Sequence, residues 1–531
     1  MTKQLLLDCT LRDGGFVNDW NFGFGSIKSI ISRLDHAGVD IIEIGFIDQR
    51  RGYDRNRSIF PDSDSALPLF EGYVPESLVV AMIDYGTCGI DRITDRKFSC
   101  LDGIRVIFKK SKQDEALSFL SDLKDKGYKI FANPVSVTEY SYSEIGKLTE
   151  KINRIEPYSV SVVDTYGLMH SKELIGYFNA FDANLNDDII LGYHAHNNFQ
   201  MAYANSILLL SKETKRTISV DASLYGMGKS AGNTCTELLA MYMNEFCGRN
   251  YNISQIHEAI DVDILKEFNK KQWGYNYEYY ISALNDCHPD YVKYLLDKKT
   301  LSVKSVNEIL SRISEEEKLY FNINLIEELY CEHQHVYCDD KLAISELKRL
   351  FAAKEMLLLG PGKSIHENND VIEMFIRDSR PIVISINFFN SLFHIDYVFM
   401  GNAKRYSQFF HEIHNKEHSA RLICTSNITE VGEDIDFLLN YSGLLADDEV
   451  IRDNPLIMFL KLLKKTGMTK IHMAGFDGYS HSVADNYYDD YIRFLYCDDN
   501  VLLRNEAIKK ELKEFSGSME IVSLTPTKYM S

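Results

Sequence analysis

The chain has 531 residues, and about 150 residues per domain predicts two or three domains rather than one hydrophobic core. Lysine and arginine number 58 against 77 aspartates and glutamates, and the resulting net charge of -19 disfavours a nucleic-acid partner. No apolar run reaches the ~18 residues of a membrane-spanning helix, and 10 scattered cysteines without a disulfide framework favour a cytoplasmic protein.

Short, β-rich apolar runs alternate with helix-like stretches over the first 225 residues. This alternation indicates parallel βα units, and eight of them in roughly 250 residues is the length of a closed (β/α)8 TIM barrel. An open doubly wound sheet is the alternative, although it usually contains fewer strands. The predicted strands are Gln4 to Asp8, Asp40 to Ile44, Leu78 to Ile83, Ile104 to Phe108, Tyr128 to Ala132, Ser159 to Val163, Ile189 to His194 and Thr217 to Asp221.

The remaining chain predicts a second domain. Residues 1–272 form the expected barrel, and residues 273–353 have a helical pattern that predicts a linking region. Strands and helices alternate again over 354–531, which favours a Rossmann-like α/β domain with an open parallel sheet. Its predicted strands are Met356 to Leu359, Pro381 to Asn387, Asp396 to Met400, Arg421 to Thr425, Lys470 to Ala474 and Met519 to Leu524.

Two histidines end the seventh predicted strand, in the sequence HAHNN that begins at His194. Residues two apart on a strand face the same way, so His194 and His196 can point at one ion at the mouth of the barrel. Two histidines satisfied by ordinary hydrogen bonds are the alternative.

Arg12 and Asp13 follow the first predicted strand, which barrel closure brings near the seventh. Asp13 can therefore complete a set of two histidines and one carboxylate, which suits Mn, Mg, Co or Zn with open positions for substrate oxygens. Arg12 can stabilise an oxyanion beside the ion, or form a salt bridge across the barrel top. A glycine-rich loop from Gly226 to Asn233 either binds phosphate or turns tightly into the last helix.

The motifs LRDGG, HAHNN and GMGKSAGN, in this order, resemble those of the DRE-TIM metallolyases. That family includes isopropylmalate synthase, hydroxymethylglutaryl-CoA lyase and the 4-hydroxy-2-oxovalerate aldolases. The resemblance covers about residues 4–275 and is strongest to the aldolase branch, in the stretch LGYHAHNNFQMAYANS. It implies a divalent metal, such as manganese, bound by Asp13, His194 and His196, with Asn233 joining or supporting these ligands.

The same resemblance implies roles for other side chains. Arg12 would polarise the 2-oxo group and stabilise the enolate, Thr165 would hold the pyruvate carboxylate, and Glu43 matches an acid near the arginine. Members of the aldolase branch carry a histidine shortly after the Arg-Asp-Gly sequence, where this chain has Phe16. The proton-transfer group must therefore differ, and the candidates are Tyr85, Asp84, His288 and a metal-bound water.

Two further segments suggest ligand contacts. The aromatic stretch from Trp273 to Tyr291, which contains His288, either covers the barrel mouth and contacts substrate or simply packs beside it. In the second domain, a loop between a predicted strand and a helix can bind phosphate or a nucleotide through its backbone N–H groups, or its glycines serve only the turn. The loop residues are Gly360, Gly362, Lys363 and Ser364. The layout of this domain resembles Rossmann-like domains of sialyltransferase-type and bacterial surface-polysaccharide proteins.

The sequence thus predicts a metal-dependent carbon–carbon lyase. A pyruvate enolate and an aldehyde would form a 4-hydroxy-2-oxo acid, or the reverse cleavage would run, and a sugar-derived aldehyde in polysaccharide biosynthesis is one candidate acceptor. The alternatives are a Claisen-type synthase that uses an acyl-CoA, and a barrel enzyme whose second domain binds or transfers a nucleotide sugar. The expected partners are small molecules and a second copy of the chain in a homodimer, without nucleic acid or membrane.

Overall fold

The computed structural model describes residues 3–318, 321–390, 392–415, 420–429, 435–482, 486–489, 491–492 and 500–530. The chain divides into two compact units, Met1–Pro289 and Asp290–Ser531. The division falls inside the region 273–353, which is helical as expected. In the part of the chain that the structure describes, no helix combines the length and apolar character needed to cross a bilayer.

The first unit is a closed barrel of eight parallel strands. Each strand pairs with its sequence neighbours, and β1 pairs with both β2 and β8, which closes the sheet. A two-residue strand, Ile59–Phe60, adds to the end of β2. The barrel strands are β1 (Gln4–Asp8), β2 (Ile41–Ile47), β3 (Leu78–Asp84), β4 (Gly103–Phe108), β5 (Lys129–Pro134), β6 (Ser159–Asp164), β7 (Ile190–Ala195) and β8 (Ile218–Ala222).

Alternation along the strands separates two layers. On β1, Leu6 packs outward among the helices, whereas Leu5 and Leu7 join a small apolar cluster that also contains Ile41 and Phe131. The helices that cover or follow the barrel are Thr10–Asp13, Gly15–Asn18, Phe24–His36, Gln113–Asp125, Tyr142–Ile155, Ser171–Asp182, Ala202–Leu210, Thr236–Phe246, Ile253–Ala259, Leu265–Phe268 and Tyr277–Leu284.

The second unit contains a parallel sheet of seven described strands in the order β13-β12-β11-β10-β9-β14-β15. Successive residues of β9 alternate between two cores, with Met356 and Leu358 in one and Leu357 and Leu359 in the other. Helices cover both faces, so the sheet is doubly wound. The strands are β9 (Met356–Leu359), β10 (Ile382–Ile386), β11 (Tyr397–Met400), β12 (Arg421–Thr425), β13 (Phe437–Leu439), β14 (Lys470–Ala474) and β15 (Glu520–Ser523).

Helices of this unit fall before and between the strands. Four precede the sheet, and eight of the 12 residues of helix Pro455–Thr466 are buried. The helices are Pro289–Asp297, Val303–Leu310, Ile323–Gln334, Lys341–Phe351, Ser364–Glu367, Asn369–Ser379, Ala403–Gln408, Phe410–Asn415, Pro455–Thr466 and Val501–Phe515.

The predicted fold class, a TIM barrel followed by a second α/β domain, is confirmed. Each predicted strand overlaps an observed one, with ends that differ by at most three residues. Ile59–Phe60 and Phe437–Leu439 were not predicted, because two or three residues are too short to show an alternating pattern.

Candidate active site

The candidate site lies at the carboxyl ends of the barrel strands, where βα loops build the active sites of this architecture. The imidazoles of His194, on β7, and His196, just beyond it, lie with ring centroids 5.2 Å apart. Asp13 comes from the short helix Thr10–Asp13 that follows β1. Each of the three residues offers a ligand atom, and these atoms all lie within 4.8 Å of one another. The structure therefore brings the three predicted metal ligands together.

The buried polar atoms of this cluster fit a metal ion. The His196 Nδ1 atom and the Asn233 Oδ1 atom are buried without a hydrogen-bond partner among the described residues. Burial lowers the pKa of His196 to about 3, although Asp13 opposes the shift, so its imidazole is neutral and can donate a lone pair. The Asn233 Nδ2 atom donates to Asp13 Oδ2 at 2.7 Å. Two imidazoles beside a carboxylate form a suitable donor set for a divalent cation.

Arg12 is fixed between two carboxylates. Its Nε atom donates to Glu43 Oε2 at 2.7 Å, and its Nη1 atom donates to Asp13 Oδ1. Burial alone would lower the pKa of Arg12, but Glu43 and Asp13 raise it, so the guanidinium stays charged. For Asp13, burial would raise the pKa, whereas Arg12 holds it well below its usual range. Arg12 thus forms the predicted salt bridges and still lies beside the candidate metal site.

A second arginine, Arg105 on β4, was not predicted. It is 1% exposed, and its Nη1 atom lies 3.1 Å from Glu43 Oε2 while Nη2 donates to Asp221 Oδ2. The same Asp221 oxygen lies 3.1 Å from His194 Nδ1. A carboxylate on one imidazole nitrogen orients the ring so that Nε2 is presented to a metal. Arg105 and Asp221 therefore position His194 from inside the barrel.

The glycine-rich loop after β8 packs against the metal ligands. A side-chain Cβ at Gly228 would lie 2.6 Å from Asp13 Oδ2 and 2.3 Å from Asn233 Nδ2. The Lys229 backbone N–H also donates to Asp13 Oδ2, at 3.1 Å. This close approach explains why the residue is a glycine. It is the behaviour expected if the loop turns tightly into the last helix.

An aromatic patch stands where the aldolase branch carries its histidine. The Phe16 ring is 41% exposed and lies 4.9 Å from the Trp20 ring and 6.1 Å from the Phe46 ring, between centroids. The Lys229 ammonium lies 5.8 Å from the Phe16 centroid and acts electrostatically on His196. In the sequence, Lys229 is recognisable only as part of a glycine-rich loop. Its position beside Phe16 depends on how that loop folds.

The other predicted barrel residues lie in different surroundings. Thr165 is half-buried just beyond β6, and its Oγ1 atom accepts a hydrogen bond from the Ser136 N–H at 2.8 Å. The Tyr85 ring packs against Phe119 of the surrounding helix layer, with 5.9 Å between centroids. His288 is half-buried in the segment beyond helix Tyr277–Leu284. This helix reaches the end of β7, because Tyr280 lies 5.8 Å from Phe199 between ring centroids.

Known relatives match the barrel half of the chain. Residues 103–265 match the HMGL-like family. The 4-hydroxy-2-oxovalerate aldolase of Marinomonas sp. (strain MWYL1) is 25% identical over 274 residues, which is 50% of this chain and 79% of that protein. The 4-hydroxy-2-oxovalerate aldolase 6 of Rhodococcus jostii (strain RHA1) is 25% identical over 238 residues, covering 44% of this chain and 66% of the relative. The expectation of a carbon–carbon lyase is confirmed by these relatives.

Solved structures also resemble this part of the chain. The N-terminal domain of an aldolase candidate from Bacteroides vulgatus has 24% sequence identity and a TM-score of 0.48, and the match covers 57% of this chain and 99% of that domain. HMG-CoA lyase from Brucella melitensis has 17% identity and a TM-score of 0.39, covering 49% of this chain and 96% of the lyase.

Proposed function

We propose that the first unit is a divalent-metal-dependent aldolase that forms or cleaves a 4-hydroxy-2-oxo acid through the enolate of pyruvate. The observation that carries the proposal is the buried cluster of Asp13, His194 and His196 with Arg12 bonded to one of its members. The similarity to 4-hydroxy-2-oxovalerate aldolases supports the same chemistry.

Asp13 and the two histidines would hold the ion, with His194 presenting Nε2 because Asp221 engages Nδ1. The bound ion would act as a Lewis acid toward the substrate's oxygens and make the methyl protons of pyruvate more acidic. Arg12 would contribute a fixed positive charge where negative charge develops on the keto oxygen. Because Nε and Nη1 already bind carboxylates, we propose that Nη2 faces the substrate.

Thr165 is suited to the substrate carboxylate, since its hydroxyl lies half-buried at the end of β6. We propose Lys229, rather than Tyr85, for proton transfer at the barrel mouth. Its ammonium lies over the Phe16 ring and interacts electrostatically with both His196 and Asp84. The Tyr85 ring, in contrast, packs against Phe119 of a helix. Manganese as the ion, a sugar-derived aldehyde as acceptor, a homodimer and a cytoplasmic location stay predictions from the sequence.

Exchange of the pyruvate methyl protons with solvent deuterium tests the proposal without knowledge of the acceptor. We expect exchange with Mn²⁺ or Mg²⁺, no exchange with a chelator, and loss of exchange in Asp13→Asn. Asp182→Asn is the matched control, because Asp182 accepts a hydrogen bond from Arg216 elsewhere in the barrel unit. Undiminished exchange by a folded Asp13→Asn variant would contradict the ligand assignment. Absence of exchange with every divalent ion, tested alone and with aldehydes, would contradict the aldolase proposal.

A further inference from the structure

The second unit has a cavity at the point where its strand order reverses. From β9 the chain adds β10 to β13 on one side and then returns to place β14 on the other side. The loops after β9 and β14 meet there, since the Gly362 N–H donates to the Gly475 carbonyl at 2.8 Å, and both glycines line a cavity of about 250 Å³. In doubly wound sheets, ligands bind in this crevice beyond the carboxyl ends of the strands.

The cavity has a positively charged lining. Four cationic residues, Lys298, Lys299, Arg405 and Arg504, line it together with two carboxylates, Asp453 and Asp477. The excess of cations favours an anionic ligand. Helices Pro455–Thr466 and Val501–Phe515 also begin at this lining, and their positive dipole ends act in the same direction.

Arg405 is the strongest anion-binding candidate in the cavity. It is only 7% exposed, and its Nη1 atom donates to the Ile492 carbonyl at 2.8 Å and to Gln408 Oε1 at 2.7 Å. Both acceptors are neutral, and these bonds fix the orientation of the guanidinium. A guanidinium held in one orientation at the cavity can bind the oxygens of an anion.

Tyrosine rings accompany both arginines. The Arg405 guanidinium lies 5.4 Å from the Tyr487 centroid, and that of Arg504 lies 5.3 Å from the Tyr479 centroid. All four residues line the cavity. Aromatic faces stack on planar bases, and arginine forks bind phosphate oxygens. Rings and guanidinium groups in one cavity therefore match a ligand that combines a base with a phosphate.

Two donors of the loop at residues 360–364 are bound by a carboxylate of the protein itself. The Ser364 N–H donates to Asp477 Oδ2 at 2.8 Å, and the Ser364 hydroxyl donates to Asp477 Oδ1. A Cβ at Gly362 would lie 2.5 Å from the Asp477 carboxylate carbon. The Asp477 carboxylate thus binds the two Ser364 donors, and the glycine makes room for it.

We propose that this cavity binds a nucleoside phosphate, with the phosphate on Arg405 and Arg504 and the base against the tyrosine rings. The site lies wholly within the second unit and does not depend on the aldolase chemistry proposed for the barrel.

Calorimetric titration of the full chain with UDP, CDP, ADP and GDP tests this proposal, with a chelator present so that metal-bridged binding in the barrel is excluded. Pyrophosphate and the parent nucleosides form the comparison arms. The variants are Arg405→Gln and Arg504→Gln, each with a matched control in Arg377→Gln, whose side chain is 73% exposed on helix Asn369–Ser379. Ser364→Ala tests whether the loop at residues 360–364 binds the phosphate.

We expect one nucleotide class to bind one-to-one, and each cavity arginine variant to weaken it about tenfold or more. Arg377→Gln and Ser364→Ala should change the affinity by less than about twofold. Absence of binding by all four nucleotides would overturn the proposal. Pyrophosphate that binds as tightly as the nucleotide would overturn the role of the rings. Loss of binding in Ser364→Ala alone would move the phosphate to the loop. If Arg405→Gln does not fold, Arg504→Gln decides the outcome, because undiminished binding by that variant contradicts the assignment.

Discussion

Replacing Asp221 with asparagine tests whether the buried charge network sets metal affinity. One Asp221 oxygen, Oδ2, contacts both Arg105 Nη2 and His194 Nδ1. Burial would raise the pKa of Asp221, but Arg105 and His194 lower it, so the carboxylate is charged in the wild-type protein. Asparagine keeps one acceptor oxygen and loses the charge, so at least one charge-assisted hydrogen bond is weakened.

The expected magnitude follows from those contacts. A hydrogen bond to a charged group contributes about 1.5–3 kcal/mol, and loss of a carboxylate behind a histidine ligand typically weakens metal binding about 10–100-fold, or roughly 1.4–2.7 kcal/mol. We therefore expect Asp221→Asn to bind Mn²⁺ about 10–100-fold more weakly than wild type. The amide retains the shape of the carboxylate, so the barrel should remain folded.

Competition with a fluorescent metal chelator measures the affinity, and circular dichroism checks the fold. Asp182→Asn serves as the control, because Asp182 Oδ1 accepts from Arg216 Nε at 2.7 Å in a carboxylate–arginine pair outside the metal cluster. The control should bind Mn²⁺ like wild type. Equal Mn²⁺ affinity in wild type and folded Asp221→Asn would refute the idea that Asp221 prepares His194 for the metal.

Three other substitutions probe the barrel. Gly228→Ala should abolish metal binding in the same competition assay, since its Cβ would lie 2.6 Å from Asp13 Oδ2. The control is Gly146→Ala on a helix, where a Cβ would have no atom within 4 Å and metal binding should be unchanged. Normal metal affinity in Gly228→Ala would contradict the packing argument. Burial raises the pKa of Asp8 from 3.8 to about 6, so the stability that protonated Asp8 contributes is present below about pH 4 and is lost as the pH rises through 6. Urea unfolding of metal-free protein measures this effect. Between pH 4 and 7, the free energy of unfolding of wild type should fall by about 3 kcal/mol relative to that of Asp8→Asn. The same dependence on pH in both proteins would refute this. Lys229→Met should slow pyruvate proton exchange about tenfold or more, with metal affinity within a few-fold of wild type, and an unchanged exchange rate would remove Lys229 from the proton-transfer step.

The metal cluster was predictable because its members carry local patterns. His194 and His196 are two apart on a strand, and a closed barrel brings the residues after β1 close to those after β7. The same topology gives Asp13 its place beside them. These inferences need only the strand positions, which alternating apolar patterns indicate well.

The network behind the cluster had no such pattern. Arg105 appears as one charge inside the apolar strand GIRVIF, and its partner Asp221 is 116 residues away. Whether an inward-facing charge on a strand finds a partner depends on register across the barrel, which the sequence does not display. The packing of the Tyr85 ring against Phe119 likewise depends on the tertiary fold and not on a local pattern.

The buried charges also bear on which substrate the site suits. Arg12 and Arg105 stand against Asp13, Glu43 and Asp221, which leaves one net negative charge in a layer with almost no exposure to water. A divalent cation would reverse that balance to one net positive charge, and a monoanionic 2-oxo acid would then make the layer neutral. Since an unbalanced buried charge is strongly destabilising, the carboxylate of the proposed substrate would contribute to binding electrostatically. Arg105 is essential to this balance. Without it, the layer would carry two net negative charges in the metal-free protein and would be neutral with the ion alone. An anionic substrate would then lose its electrostatic advantage.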